Sequence, residues 1–182
     1  MKLPNILTAL RIAFIPLIVA VFYLPIENNL YIASGIFALA AWTDWLDGFL
    51  ARRLNQSTPF GAFLDPVADK LMVSVALGLL IDAHASVWMT LPALIIIGRE
   101  IVISALREWM AELGKRGSIA VSMIGKAKTS LQMLSIFVLL SQEPGTDIAL
   151  VGMVLLYGAV ILTIWSMVQY LKAAWPDLKS GM

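Results

Sequence analysis

Four aspartates stand on two short stretches, Asp44-Trp-Leu-Asp47-Gly48-Phe-Leu-Ala51-Arg52 and Gly61-Ala-Phe-Leu-Asp65-Pro-Val-Ala-Asp69. Both lie in or beside strongly apolar runs, where an ionised side chain is expensive. At the centre of a membrane helix each Asp costs about 2.5–3.5 kcal/mol, so four facing lipid would cost on the order of 10 kcal/mol or more. A chain keeps such a cluster only where something neutralises it, and bound divalent cations are the simplest candidate.

The spacing supports one shared site. At about 100° per helical residue, Asp47, Gly48, Ala51 and Arg52 fall near −60°, +40°, −20° and +80° relative to Asp44. Gly61, Asp65 and Asp69 fall within about 80° of one another. Two helices joined by a short loop are expected to be antiparallel neighbours, which would bring the two acidic faces together. Carboxylates about 4 Å apart repel by up to ~4 kcal/mol per ionised pair at an effective dielectric near 20. Two Mg²⁺ or Mn²⁺ ions, which prefer hard oxygen ligands, would cancel that charge. Gly48, Ala51 and Gly61 leave room for a ligand to approach the backbone, and Arg52 offers a planar fork for phosphate oxygens. The set describes a site for a pyrophosphate-bearing nucleotide, with phosphoryl transfer as the chemistry paired metals favour. The bland alternative pairs the acids with Arg52, Arg53 or Lys70 as intramembrane ion pairs, but those bases are too few for four acids.

The elements that must position these residues are apolar runs. The 182 residues are 60% hydrophobic and 14% charged, too apolar for a soluble domain of this size. Runs near the roughly 20 residues needed to span a bilayer fall at 4–24, 30–53, 62–81, 87–109, 122–142 and 148–172. Turn chemistry breaks them at Pro25–Asn29, Asn55–Pro59, Asp82–Ser86, Gly114–Gly117 and Glu143–Thr146. The expected fold is therefore an all-α integral membrane protein, a six-transmembrane-helix bundle forming a single domain over 1–182. The first run carries Arg11 and lacks a convincing small-residue cleavage site, so it is read as retained rather than as a signal peptide. The loops near 25–30, 82–87 and 142–148 contain no Lys or Arg, whereas Lys2, Arg52, Arg53, Lys115, Arg116 and Lys179 mark the opposite ends. By the positive-inside rule both termini and the aspartate cluster face the cytoplasm, as does the expected active-site cavity. Net charge is +1 and says nothing about partners; the absence of cysteine excludes disulfides, thiol nucleophiles and Cys-based zinc sites.

The pattern Asp-x2-Asp-Gly-x2-Ala-Arg-x8-Gly-x3-Asp-x3-Asp, met by Asp44, Asp47, Gly48, Ala51, Arg52, Gly61, Asp65 and Asp69, resembles the signature of the CDP-alcohol phosphotransferases. The opening segment Pro4-Asn5-Ile-Leu-Thr8-Ala-Leu-Arg11, the Thr58–Lys70 segment and Gly98-Arg99-Glu100 are similar to members that use glycerol 3-phosphate as acceptor. The resemblance implies that Asp44, Asp47 and Asp65 hold metal, and that Asp69 contacts metal and acts as general base. It implies that Gly48, Ala51, Arg52 and Gly61, with Asn5 and Thr8, line the CDP pocket. Plain capping and helix–helix hydrogen bonding is the alternative for Asn5 and Thr8. The implied reaction moves a phosphatidyl group from CDP-diacylglycerol to sn-glycerol 3-phosphate in a bacterial inner membrane, releasing CMP. The implied assembly is a homodimer among membrane lipid, with no nucleic-acid polymer as partner.

A phosphorylated acceptor needs cations, and Lys70, Arg99, Arg107, Lys126 and Lys128 are the candidates for its phosphate. Arg107 falls about 20° from Glu100 on the helical wheel, so an internal ion pair is the competing reading. His84 is expected to be a solvated loop residue. Two rivals stand beside the main reading: a family member with another acceptor (inositol phosphate, serine or phosphatidylglycerol), and a cation transporter using the acids as its ion site.

Overall fold

The computed structural model describes residues 3–54, 59–114 and 123–180; at 3–7, 45, 47–54, 59–62, 123–126 and 180 it describes the backbone alone. These residues form six helices and no strand: α1 (Leu3–Tyr23), α2 (Asn29–Leu54), α3 (Pro59–His84), α4 (Val87–Glu112), α5 (Met123–Leu140) and α6 (Asp147–Ser180).

Each helix grows from one of the apolar runs, and the turns fall where local chemistry allows reversal. Asn28 adopts φ +62° between α1 and α2, a left-handed conformation that asparagine tolerates better than most residues. Ser86 caps α4 by accepting from the Trp88 amide at 3.3 Å. Gly114, at φ +72°, closes α4 by donating its amide to the Ala111 carbonyl at 3.0 Å. Most boundaries shift by one to three residues from the expected runs, and two extensions at helix C-termini matter here. Helix α3 runs on through Asp82 to His84, so His84 is a helix-terminal residue whose Nδ1 lies 3.1 Å from the Leu80 carbonyl, not a solvated loop residue. Burial there lowers its affinity for a proton below that of an ordinary imidazole. Helix α6 continues through Pro176 to Ser180. A proline costs the helix one hydrogen bond but does not force it to end.

Direction alternates along the chain. Asn29 Nδ2 donates to the Phe22 carbonyl at 2.8 Å and Arg11 meets Asp44, so α1 and α2 are antiparallel. Thr8 meets Asp65 and Tyr23 meets Asp82, so α1 and α3 run the same way. Helices α4 and α6 are likewise parallel, tied by Tyr157 to Trp88 and by Arg99 to Ser166. The two ends of the bundle differ in chemistry. Ile18, Phe37, Leu77, Leu80, Met89 and Ile136 belong to the main apolar core, while Thr8, Arg11, Arg99, Lys128, Gln132 and Ser166 are buried polar residues. The outside is apolar too, with Tyr31, Trp42, Phe63, Trp88, Ile101 and Trp165 all exposed. Val87–Glu112 and Asp147–Lys179 are long and apolar enough to cross a membrane. Such an exterior suits lipid rather than water.

Helix α1 packs broadly against both α2 and α3, while α2 and α3 touch each other only slightly. Among the described residues, α1 is therefore the largest packing neighbour of both α2 and α3.

Candidate active site

Thr8 and Arg11 stand three residues apart, on one face of α1. Thr8 Oγ1 donates to Asp65 Oδ1 at 2.6 Å, and Arg11 Nη1 pairs with Asp44 Oδ1 at 2.7 Å. One helix therefore orients an acid from each neighbour. Arg11 is enclosed, at 1% exposure, whereas the Asp44 side chain remains 47% exposed. The acid is anchored at one edge and open elsewhere. Thr8 is fully buried, and its hydroxyl makes the helix–helix bond to Asp65. Among the described residues Asp44 pairs with Arg11; the Arg52 and Arg53 side chains lie outside them.

Three of the acids act on one another: Asp65 on Asp44, and Asp44 on Asp69. Among the described residues no three acids close into a ready-made ligand set, and the Asp47 side chain lies outside them. The donor chemistry nevertheless fits Mg²⁺ or Mn²⁺. Asp44, Asp65 and Asp69 offer hard carboxylate oxygens, and the positive charges acting on Asp69, from Arg11 and Lys70, are fewer than those acids. The expected pocket residues Asn5, Gly48, Ala51, Arg52 and Gly61 have helical backbones, but their side-chain positions also lie outside the described residues.

Asp69 opens onto a cavity of about 520 Å³ between α3, α4, α5 and α6, a volume suited to a small ligand. The same cavity is lined by Lys70, Arg99, Glu100, Arg107 and Lys128. Four of the five expected phosphate-binding cations thus converge beside the expected base; the Lys126 side chain lies outside the described residues. Their roles are not equal. Glu100 Oε1 accepts from Arg99 Nη1 and, at 2.9 Å, from Lys128 Nζ, so those two cations are partly neutralised. Lys128 is also 2% exposed. Arg107 does not join Glu100 as the helical wheel allowed. It turns to α6, donating from Nη2 to the Tyr170 hydroxyl at 3.1 Å with its guanidinium 5.2 Å from the ring centre. Among the described residues no carboxylate pairs with Arg107 or Lys70, which leaves these as the cations most available to an anion.

Sequence reasoning missed Arg11, Ser166, Tyr170 and Gln132. Arg99 Nη2 donates to Ser166 Oγ at 3.1 Å. Gln132 lines the cavity at 4% exposure, and its Oε1 has no hydrogen-bond partner. A single Ser, Tyr or Gln within an apolar helix says little by itself. The one available cue was that polar residues recur at helical intervals on α5 and α6, as Lys128 with Gln132 and Ser166 with Tyr170.

Comparison with known proteins adds a second, independent line. The family model described as CDP-alcohol phosphatidyltransferase matches residues 1–165. A CDP-diacylglycerol–glycerol-3-phosphate 3-phosphatidyltransferase of Pseudomonas fluorescens is 57% identical over 182 residues, covering 99% of this chain and 93% of that protein. Proteins of the same name from Escherichia coli (strain K12) and Shigella flexneri are each 56% identical over 177 residues, covering 97% of both chains.

Proposed function

The chain belongs to the CDP-alcohol phosphatidyltransferase family, and from that premise we propose that it moves a phosphatidyl group from CDP-diacylglycerol to sn-glycerol 3-phosphate. The products are phosphatidylglycerophosphate and CMP. The observation that carries this reading is the opening of Asp69 and the Lys70/Arg107 cations onto one cavity, with the carboxylates of Asp44 and Asp65 held alongside by α1.

On this reading the work divides in two. On the donor side, Asp44, Asp47, Asp65 and Asp69 would hold divalent cations, Mg²⁺ or Mn²⁺, which supply charge neutralisation for the liponucleotide diphosphate. Thr8 and Arg11 fix the directions of Asp65 and Asp44, so those acids do not have to reorganise when the diphosphate arrives. Arg52, Gly48, Ala51 and Gly61 are assigned to the nucleotide. On the acceptor side, Arg107, Lys70 and Arg99 draw in the phosphate dianion and leave the far hydroxyl of the glycerol pointing along the cavity toward Asp69. Asp69 takes the hydroxyl proton as the oxygen forms its bond to the phosphorus bearing diacylglycerol. The bond from that phosphorus to the bridging oxygen breaks, and CMP leaves with the electron pair.

On the same reading the chain sits in a bacterial inner membrane as six spans, with both termini and the cavity mouth on the cytoplasmic side and two copies forming a homodimer. The basic residues at that end of the bundle support the orientation.

The test is an acceptor panel. Purified protein in detergent, given CDP-diacylglycerol and Mg²⁺, is expected to release CMP and form lipid product with glycerol 3-phosphate. Chelation should stop the reaction and added metal restore it. Product with serine or inositol phosphate, and none with glycerol 3-phosphate, would reassign the acceptor. Metal-insensitive turnover would remove the metal from the scheme.

A further inference from the structure

Two guanidiniums, Arg99 and Arg107, approach the same aromatic ring from α4. Arg107 lies 5.2 Å and Arg99 6.0 Å from the centre of Tyr170. Tyr170 is 6% exposed, lines the cavity shared with Asp69, and accepts a hydrogen bond from Arg107 at 3.1 Å. One helical turn earlier, Ser166 accepts from Arg99 at 3.1 Å. The two residues form a ledge on α6 from which both guanidiniums are held.

We propose that Tyr170 is a positioning residue for acceptor recognition: its ring face and hydroxyl hold Arg107, and through the ring Arg99, in the orientation that receives a phosphate monoester. This rests on the transferase reading above and deepens its acceptor half. The physical case is that neighbouring guanidiniums repel one another while no anion is bound. Glu100 relieves Arg99, but Arg107 has no carboxylate partner among the described residues. The negative face of the ring substitutes for one without consuming the charge. A carboxylate at that place would compete with the incoming phosphate, whereas an aromatic face keeps Arg107 both fixed and electrostatically available. Because Tyr170 Oη already accepts from Arg107, its own proton remains to be donated toward a phosphate oxygen.

The experiment uses the full chain in detergent micelles with two variants, Tyr170→Phe and Tyr170→Leu. Wild-type protein is first checked for CMP release with glycerol 3-phosphate. Failure there sinks the transferase reading, whereas the comparison of variants bears on Tyr170 alone. In Tyr170→Leu the KM for glycerol 3-phosphate should rise about tenfold or more, while the KM for CDP-diacylglycerol and kcat stay within about twofold. Tyr170→Phe keeps the ring and should fall between the two. Inorganic phosphate, as a competitor of the acceptor, should inhibit Tyr170→Leu more weakly in the same proportion. A parallel rise in both KM values, or acceptor KM and phosphate inhibition unchanged in either folded variant, would overturn the proposal.

Discussion

At the residue scale, the proposed chemistry rests on acids of which two, Asp44 and Asp65, are bonded by partners far away in sequence. Asp69 opens to the cavity beside the cations, so Asp69→Asn should cut turnover by about 10²–10⁴ while the KM for CDP-diacylglycerol changes little. Steady-state CMP release at varied donor concentration measures both. Thr8→Val keeps the side-chain shape but removes the donor at 2.6 Å from Asp65. A hydrogen bond to a charged group is worth about 1.5–3 kcal/mol, and the variant should lose about that much stability in unfolding measurements in micelles. The aspartates themselves stood out in the sequence, because the spacing within each of the two stretches follows the helical period. Arg11 as the partner of Asp44 did not. Nor did Ser166 and Tyr170, which meet Arg99 and Arg107 across 67 and 63 residues. Local periodicity does not encode contacts of that range, and on the wheel Arg107 could face Glu100 as readily as α6.

At the scale of helices, the six apolar runs foretold the six described helices, since a long apolar run satisfies its backbone polar groups most simply within its own helix. What the runs did not foretell was which helices touch. Connectivity made α2 and α3 neighbours, but it did not reveal that α1 packs on both and carries the two side chains that bond Asp65 and Asp44. The α5–α6 pair shows how close such contacts become. A Cβ added at Gly152 would meet the Leu139 Cγ at 2.8 Å, whereas one at Gly158 would meet the Leu131 Cδ2 at 3.2 Å. Leu139 is buried, at 1% exposure, and its branch point cannot swing aside. Gly152→Ala should therefore destabilise by about 1–3 kcal/mol, and Gly158→Ala by less. Thermal unfolding of the two variants side by side, with kcat expected to be unchanged in both, checks this.

At the scale of the whole molecule, the main apolar core lies toward one end, and the cavity with Asp69 and its cations lies toward the other, beside a smaller apolar cluster that includes Ile103 and Met110. Topology tests that asymmetry without background, because the chain has no cysteine. Glu27→Cys and Glu143→Cys should react with a membrane-impermeant maleimide added outside intact cells, and Leu113→Cys only after permeabilisation. The reverse pattern would turn the active site to the wrong face for soluble glycerol 3-phosphate. Whether Asp69 and the α4 cations serve a single transfer reaction is decided by following labelled glycerol 3-phosphate into lipid alongside CMP release, in wild type and Asp69→Asn. Wild type should give one CMP for each labelled lipid, dependent on divalent metal, and the variant should form both products about 10²–10⁴-fold more slowly. Labelled lipid from folded Asp69→Asn at the wild-type rate, or CMP released without any lipid labelled, would refute that single reaction.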